Sequence, residues 1–227
     1  MPHDNATDQG PAVPPVPPVP AVPAAERAYA HLKSRILSGD LPGGTLVSEV
    51  QVGEALGLSR TPVHEAFLRL GAERLLTLSP RRGAVVVPVP AGESRDVLEA
   101  REALEAGAAR RLVEDGTTGA VLPRLTEAVA LMRAQLASGD VDGFAAADDA
   151  FHAAVVDGSG NALVADFYAR LRDHQHRLRQ ALLREWTRDL QGSLDDHVEL
   201  RAAIEAGDGE RYQRVLRRHV ARYRGAL

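Results

Sequence analysis

From Ala24 onward the apolar positions recur at three- and four-residue steps. Tyr29, Leu32, Ile36 and Leu37 mark one face of a first helix, which Gly39 and Pro42 bring to an end. Ser48 followed by Gln51 has the form of a capping box, with Val47 and Val52 at the staple positions, and predicts a second helix over about 49–56. Gly57-Leu58-Ser59 reads as a tight turn with Ser59 as the cap of a third helix, about 60–71. Pro62 falls in its first turn, where a missing N–H is tolerated. Leu75–Leu78 and Ala84–Val87 are β-type runs around a polar turn, Ser79-Pro80-Arg81-Arg82-Gly83, and predict a hairpin. Beyond it six helical segments are expected at about 93–114, 120–137, 140–157, 161–186, 190–206 and 208–224, separated by breaks such as Gly158-Ser159-Gly160 and Gly207-Asp208-Gly209. The predicted fold is mainly α: a winged helix-turn-helix of three helices plus a β-hairpin, followed by an antiparallel six-helix bundle.

Proline changes the picture at two places. Residues 11–23 alternate Pro with Val and Ala and predict an extended, solvated arm, because proline lacks the N–H and fixes φ. Pro88-Val89-Pro90-Ala91-Gly92 can continue neither strand nor helix and reads as a linker. The expected organisation is therefore an arm over 1–23, a DNA-binding domain over 24–87, the linker over 88–92 and a helical domain over 93–227. No apolar run reaches the roughly 18 residues that a membrane-spanning helix needs, and no basic-then-apolar leader opens the chain, so a cytoplasmic protein without membrane contact is expected. With no cysteine, thiolate chemistry, disulfides and cysteine-based metal sites are excluded. Net charge is −4, which leaves no footprint for nucleic acid over the whole chain; the distribution is uneven, however. Residues 24–90 carry eight Lys/Arg against six Asp/Glu, and the acidic excess lies elsewhere.

Three short helices, the last two joined by a glycine turn, and a hairpin with two arginines at its tip describe a reader of DNA. A helix enters the major groove with its N-terminal residues toward the base edges, which places Arg60, Thr61 and His64 within reach of bases or phosphates. Arg69, further along, is expected at a phosphate. Arg81 and Arg82 on the wing face the neighbouring backbone or minor groove, and Arg35, late in helix one, a phosphate.

A second constellation lies in the bundle. Asp148 and His152 stand four apart on one helix face beside Phe144, Phe151 and Val155, and so project inward. His197 sits near Leu194, Val198 and Leu200, and His219 within the stripe Tyr212, Val215, Leu216, Val220, Tyr223. One inward histidine reads as a hydrogen-bonded core residue; three with an aspartate need a shared partner to offset their desolvation. A divalent cation supplies it: three imidazole nitrogens and a carboxylate oxygen suit Zn²⁺ first, with Ni²⁺ or Mn²⁺ as rivals. His174 and His176 are expected on the surface.

The runs Ile36–Leu46, Leu58-Ser59-Arg60-Thr61-Pro62-Val63-His64-Glu65-Ala66 and Pro80-Arg81-Arg82-Gly83-Ala84 resemble the N-terminal domain of GntR-type bacterial transcription regulators. Arg101-x-x-Leu104-Glu105, Asp148-x-x-x-His152, Gly160-Asn161, His197 and Gly207-Asp208 before His219 are similar to the FCD ligand-binding domain of that family's FadR branch, in its shorter, six-helix form. The resemblance implies operator contacts at the positions of Arg35, Arg60 and residue 64, and a wing glycine, Gly83, that lets the backbone approach the duplex. It implies metal ligands at Asp148, His152, His197 and His219, and an effector-cavity arginine at Arg101. Asn161 stands at an effector-linked position and equally suits a helix cap. His64 departs from the family's usual arginine, and Gly53 from its usual alanine. The implied function is a homodimeric repressor on a pseudo-palindromic operator, released by a small organic-acid-like anion bound beside the metal. A metal-dependent enzyme in a helical bundle is the competing reading, with the Asp/His₃ set as its only support; an architectural DNA binder with a structural His cluster is the third.

Overall fold

The computed structural model describes residues 22–79, 83–89, 92–181 and 187–224. Helix α1 (Ala24–Leu37) buries Ala28, Tyr29, Leu32 and Ile36 on the expected face. A two-residue strand β1 (Leu46–Val47) leads into α2 (Glu49–Leu56), where the Ser48 hydroxyl accepts from the Gln51 N–H and Gly57 closes the helix in the left-handed conformation. Helix α3 (Arg60–Ala72) starts at Ser59 as expected, although the Ser59 side chain makes no cap hydrogen bond. Strands β2 (Leu76–Ser79) and β3 (Gly83–Val86) form the hairpin, with Leu76 opposite Val86 and Ser79 opposite Gly83.

β1 is the unanticipated element. It pairs antiparallel with β3, Leu46 opposite Val85 and Val47 opposite Ala84, to give a three-stranded sheet in the order β1-β3-β2. Two residues are too few for an alternating pattern to be visible in sequence. The added strand ties the wing to the segment that opens α2. Phe67, Leu70, Val63, Leu32, Leu75 and Ala84 belong to the core that unites these elements.

Two glycines have their cause in this packing. Gly83 has φ +97°, and a Cβ there would run into the carbonyl oxygen of Val47, so the absent side chain serves the β1–β3 pairing itself. At Gly53 a Cβ would sit 2.9 Å from the Leu58 carbonyl oxygen, which offsets the helix cost of glycine by a close approach of the α2–α3 turn. Gly83→Ala is accordingly expected to destabilise the protein by about 1–3 kcal/mol, read as a lowered thermal midpoint.

Among the described residues the second half has six α-helices: α4 (Glu93–Glu114), α5 (Thr118–Ser138), α6 (Val141–Gly158), α7 (Ala162–Ala181), α8 (Leu190–Glu205) and α9 (Gly209–Arg224), with a 3₁₀ turn at Thr187–Asp189 before α8. The part of the expected fourth segment beyond 181 lies outside the described residues. Helix α6 buries residues almost all round and packs on α4, α5 and α7; α8 packs on α5 and α9, and α9 on α4. Phe144, Phe151, Leu112, Leu125, Met132 and Tyr212 are its largest core members.

The two halves meet along α7. Lys33 of α1 reaches Asp173 at 2.6 Å, and the Arg177 guanidinium donates to the Val87 carbonyl oxygen. Within the helical half His174 pairs with Glu93 of α4 at 2.6 Å; both His174 and His176 are half-buried, a correction to their expected place on the open surface, because α7 packs on α4 and on α1. Burial disfavours the Lys33 charge, but hydrogen bonds to Asp173, Tyr29 and Glu73 outweigh it.

A buried imidazole cluster and an exposed helix terminus

Asp148 and His152 lie one turn apart on α6, His197 is on α8 and His219 on α9, and all four are buried. One ligand atom from each falls within 4.8 Å of the others. His152 Nε2 is 3.0 Å from His197 Nε2, and Asp148 Oδ1 is 3.3 Å from His197 Nε2 and 3.9 Å from His219 Nε2. Bonds of about 2.0–2.2 Å to one ion give ligand-to-ligand edges of about 3–4 Å, so the set has the size of a coordination shell.

The surroundings decide which nitrogen faces inward. His152 Nδ1 contacts Glu105 Oε2 at 2.6 Å, and His197 Nδ1 contacts the Ser193 carbonyl oxygen at 2.7 Å. Both partners accept, so each Nδ1 carries its proton and, in the neutral ring, each Nε2 presents a bare lone pair. Two lone pairs 3.0 Å apart repel. Asp148 Oδ1, buried between them, accepts no hydrogen bond. His219 Nδ1 faces Asp196 at 3.7 Å, the same outward arrangement. Three nitrogens and one oxygen thus converge with their donor sides turned away, which fits a cation at the centre.

Burial pushes His152 well below the ordinary imidazole value, helped by the Arg101 charge, and pushes His197 down to about 4. Both rings are therefore neutral, the form that ligates. Burial alone would raise the Asp148 carboxyl; His197, His152 and Arg101 beside it hold it below the usual carboxylate range.

Arg101, on α4, is buried with its Nε on Glu105 Oε1 at 2.8 Å and its Nη2 3.8 Å from Asp148 Oδ2. Glu105 and Tyr168 were not foreseen in these roles. The Tyr168 hydroxyl donates to Glu105 Oε1 at 2.6 Å, so Glu105 gathers Arg101, Tyr168 and His152. The available signal was a charged pair, Arg101 and Glu105, four apart within the buried stripe Leu98, Ala108, Ala109, Leu112. Arg179 of α7 forms a two-point contact with Asp149, at 2.6 and 3.2 Å, and stands 4.0 Å from Asp148. Asn161 accepts from the Val164 N–H through Oδ1, which makes it the cap of α7. Loss of the Glu105 charge in Glu105→Gln is expected to weaken metal affinity by about 10–100-fold, measured by competition with a chromogenic chelator.

On the other half, Arg60, Thr61 and His64 are exposed at the start of α3, and Arg35 is exposed in the last turn of α1. The helix N-terminus there adds its own partial positive charge. Arg69, expected at a phosphate, pairs with Glu26 at 2.6 Å and lies 3.5 Å from the Tyr29 ring centroid, contacts that tie α3 to α1 and leave its side chain half exposed. Arg81 and Arg82 lie outside the described residues.

An exposed recognition helix beside a three-stranded wing, joined to a helical domain with an internal ligand cluster, defines a DNA-binding regulator with a sensor half. The model of the gntR family of bacterial regulatory proteins matches residues 24–86, and that of the FCD domain matches 96–222; the chain belongs to the GntR-type regulators with an FCD domain. An uncharacterised helix-turn-helix transcriptional regulator of Agrobacterium vitis is 34% identical over 131 residues, 57% of this chain and 77% of the relative. The gluconate operon transcriptional repressor of Bacillus licheniformis is 26% identical over 80% of this chain and 76% of its own length. Among solved structures, McbR/YncC of E. coli superposes with a TM-score of 0.76 at 23% identity, covering 90% of this chain and 97% of that one. A GntR regulator from Rhodococcus sp. RHA1 gives 0.67 at 23% identity, over 87% and 93%. The protein is a transcription regulator and not an enzyme.

Proposed function

We propose that this protein is a metal-containing repressor that works as a cytoplasmic homodimer and leaves its operator when a small organic anion binds the helical domain. In this reading Asp148, His152, His197 and His219 hold one divalent ion, Zn²⁺ in first place and Ni²⁺ or Mn²⁺ as rivals. The supporting observation is the pair of Nε2 atoms held 3.0 Å apart with their protons committed outward. The ion, when bound, supplies a Lewis-acidic position for a carboxylate.

Arg101 already stands beside Asp148 and is suited to the second charge of such an anion. Burial works against its guanidinium charge, but Glu105, Tyr168 and Asp148 outweigh burial and keep it ionised. Asn161 caps the helix that carries Tyr168 and Arg179, and takes part in effector binding through that helix. Two copies place two α3 helices on half-sites of a pseudo-palindromic duplex, where Arg60, Thr61, His64 and Arg35, with Arg81, Arg82 and Gly83 of the wing, supply the contacts. Repression, as opposed to activation, is supported by the names of relatives such as the Bacillus licheniformis repressor. An effector can release DNA only by binding the released arrangement better, a coupling of about 1–3 kcal/mol.

The test is a selection of duplexes from a randomised pool by the full-length protein, followed by titration of small mono- and dicarboxylates into the complex. Enrichment of a pseudo-palindrome and its release by a carboxylate support the reading. Enrichment without any metal in the purified protein refutes the sensor half.

A further inference from the structure

Resting on the DNA-reading role just argued, we propose that operator binding is proton-linked through His64, and that Glu49 is the positioning residue responsible. His64 lies on the outward face of α3, its side chain 55% exposed, one turn beyond Arg60. Its Nδ1 is 2.9 Å from Oε1 of Glu49, in the first turn of α2. Among the described residues its charged neighbours are Glu49, in contact from α2, and, on α3 itself, Arg60 one turn before and Glu65 next in the chain.

A carboxylate only accepts, so the nitrogen facing Glu49 carries the hydrogen. In the neutral ring that leaves Nε2, the atom turned away from Glu49, as a bare acceptor. Guanine N7 and O6, thymine O4 and the phosphate oxygens are acceptors as well, and a neutral His64 meets them lone pair to lone pair. A second proton converts Nε2 into a charged donor while Nδ1 stays on Glu49. An arginine at this position would need no such conversion because it is always charged. A histidine whose tautomer Glu49 fixes thus makes the contact conditional on pH.

The sign follows from which form binds. The protonated ring contacts DNA, so DNA raises its proton affinity. The extra binding is complete at the acid side of the histidine range and is lost as pH rises through it.

The experiment uses full-length, metal-loaded protein and a duplex selected from a randomised pool at about pH 6. The Kd is measured by fluorescence anisotropy at fixed ionic strength from about pH 6 to about pH 8. The wild-type Kd is expected to rise about tenfold or more across that range. His64→Arg should give a flat profile. In Glu49→Gln the carboxamide can donate to Nδ1, the single proton of the neutral ring can move to Nε2, and the profile should flatten. His64 is exposed and Glu49 half-buried, and an unchanged thermal midpoint verifies folding in both variants. A wild-type profile that parallels His64→Arg overturns the proton linkage, and a Glu49→Gln profile as steep as wild type overturns the part given to Glu49. If no duplex is enriched at any pH, the DNA-reading role fails and this inference falls with it; a duplex bound equally at all pH values sinks the inference alone.

Discussion

Replacing His152 and His219 together by alanine is expected to leave the purified protein without stoichiometric metal, and elemental analysis of the wild type is expected to give one ion per chain. The change removes two of the three imidazoles that cluster with Asp148, and a site left with one nitrogen and one carboxylate oxygen cannot compete with buffer and chelators. It also empties volume in a packed interior, so Asp148→Asn serves as the companion: nearly isosteric, it removes only the anionic oxygen. Both variants should retain specific duplex binding, because α3 belongs to a different core. A double variant that keeps one tightly held ion per chain would show that the cluster is a polar network and not a ligand set.

Arg60→Ala is expected to weaken operator binding about thirtyfold or more at physiological salt, with metal content unchanged. An arginine at a groove-facing helix start contributes about 1–3 kcal/mol per half-site, about 2–6 kcal/mol for a dimer, which is a loss of about thirtyfold or more. Should Arg60 hold a phosphate and not a base edge, the loss is uniform over sequences and the salt slope falls by about one ion per half-site. Unimpaired binding by the variant would contradict the docking of α3.

Much of the fold was legible because it is written locally. The Ser48–Gln51 spacing marked where α2 begins, and the spacing of Asp148 and His152 put both on one inward face before any coordinates. His197 and His219 were legible as polar interruptions of apolar stripes. The outer partners of the cluster were not, since Glu105 is 47 residues from His152 and 63 from Tyr168, and no local pattern reports such pairings. The partners of Arg69 were equally hidden, since Glu26 and the Tyr29 ring lie far earlier in the chain. Gly53 is a further case: its reason is the Leu58 carbonyl oxygen, which approaches it across the α2–α3 turn.

Helix α7 has one further consequence. Asp173, bonded to Lys33, and Arg179, bonded to Asp149 beside the ligand cluster, are six residues apart, about 9 Å along one uninterrupted axis. No loop lies between them to absorb strain. In the reading proposed above, a reshuffling of the acids around Arg179 would act as torque on a stiff shaft whose far end is bolted to the first helix of the DNA reader, with no relay of rearranging side chains required between them.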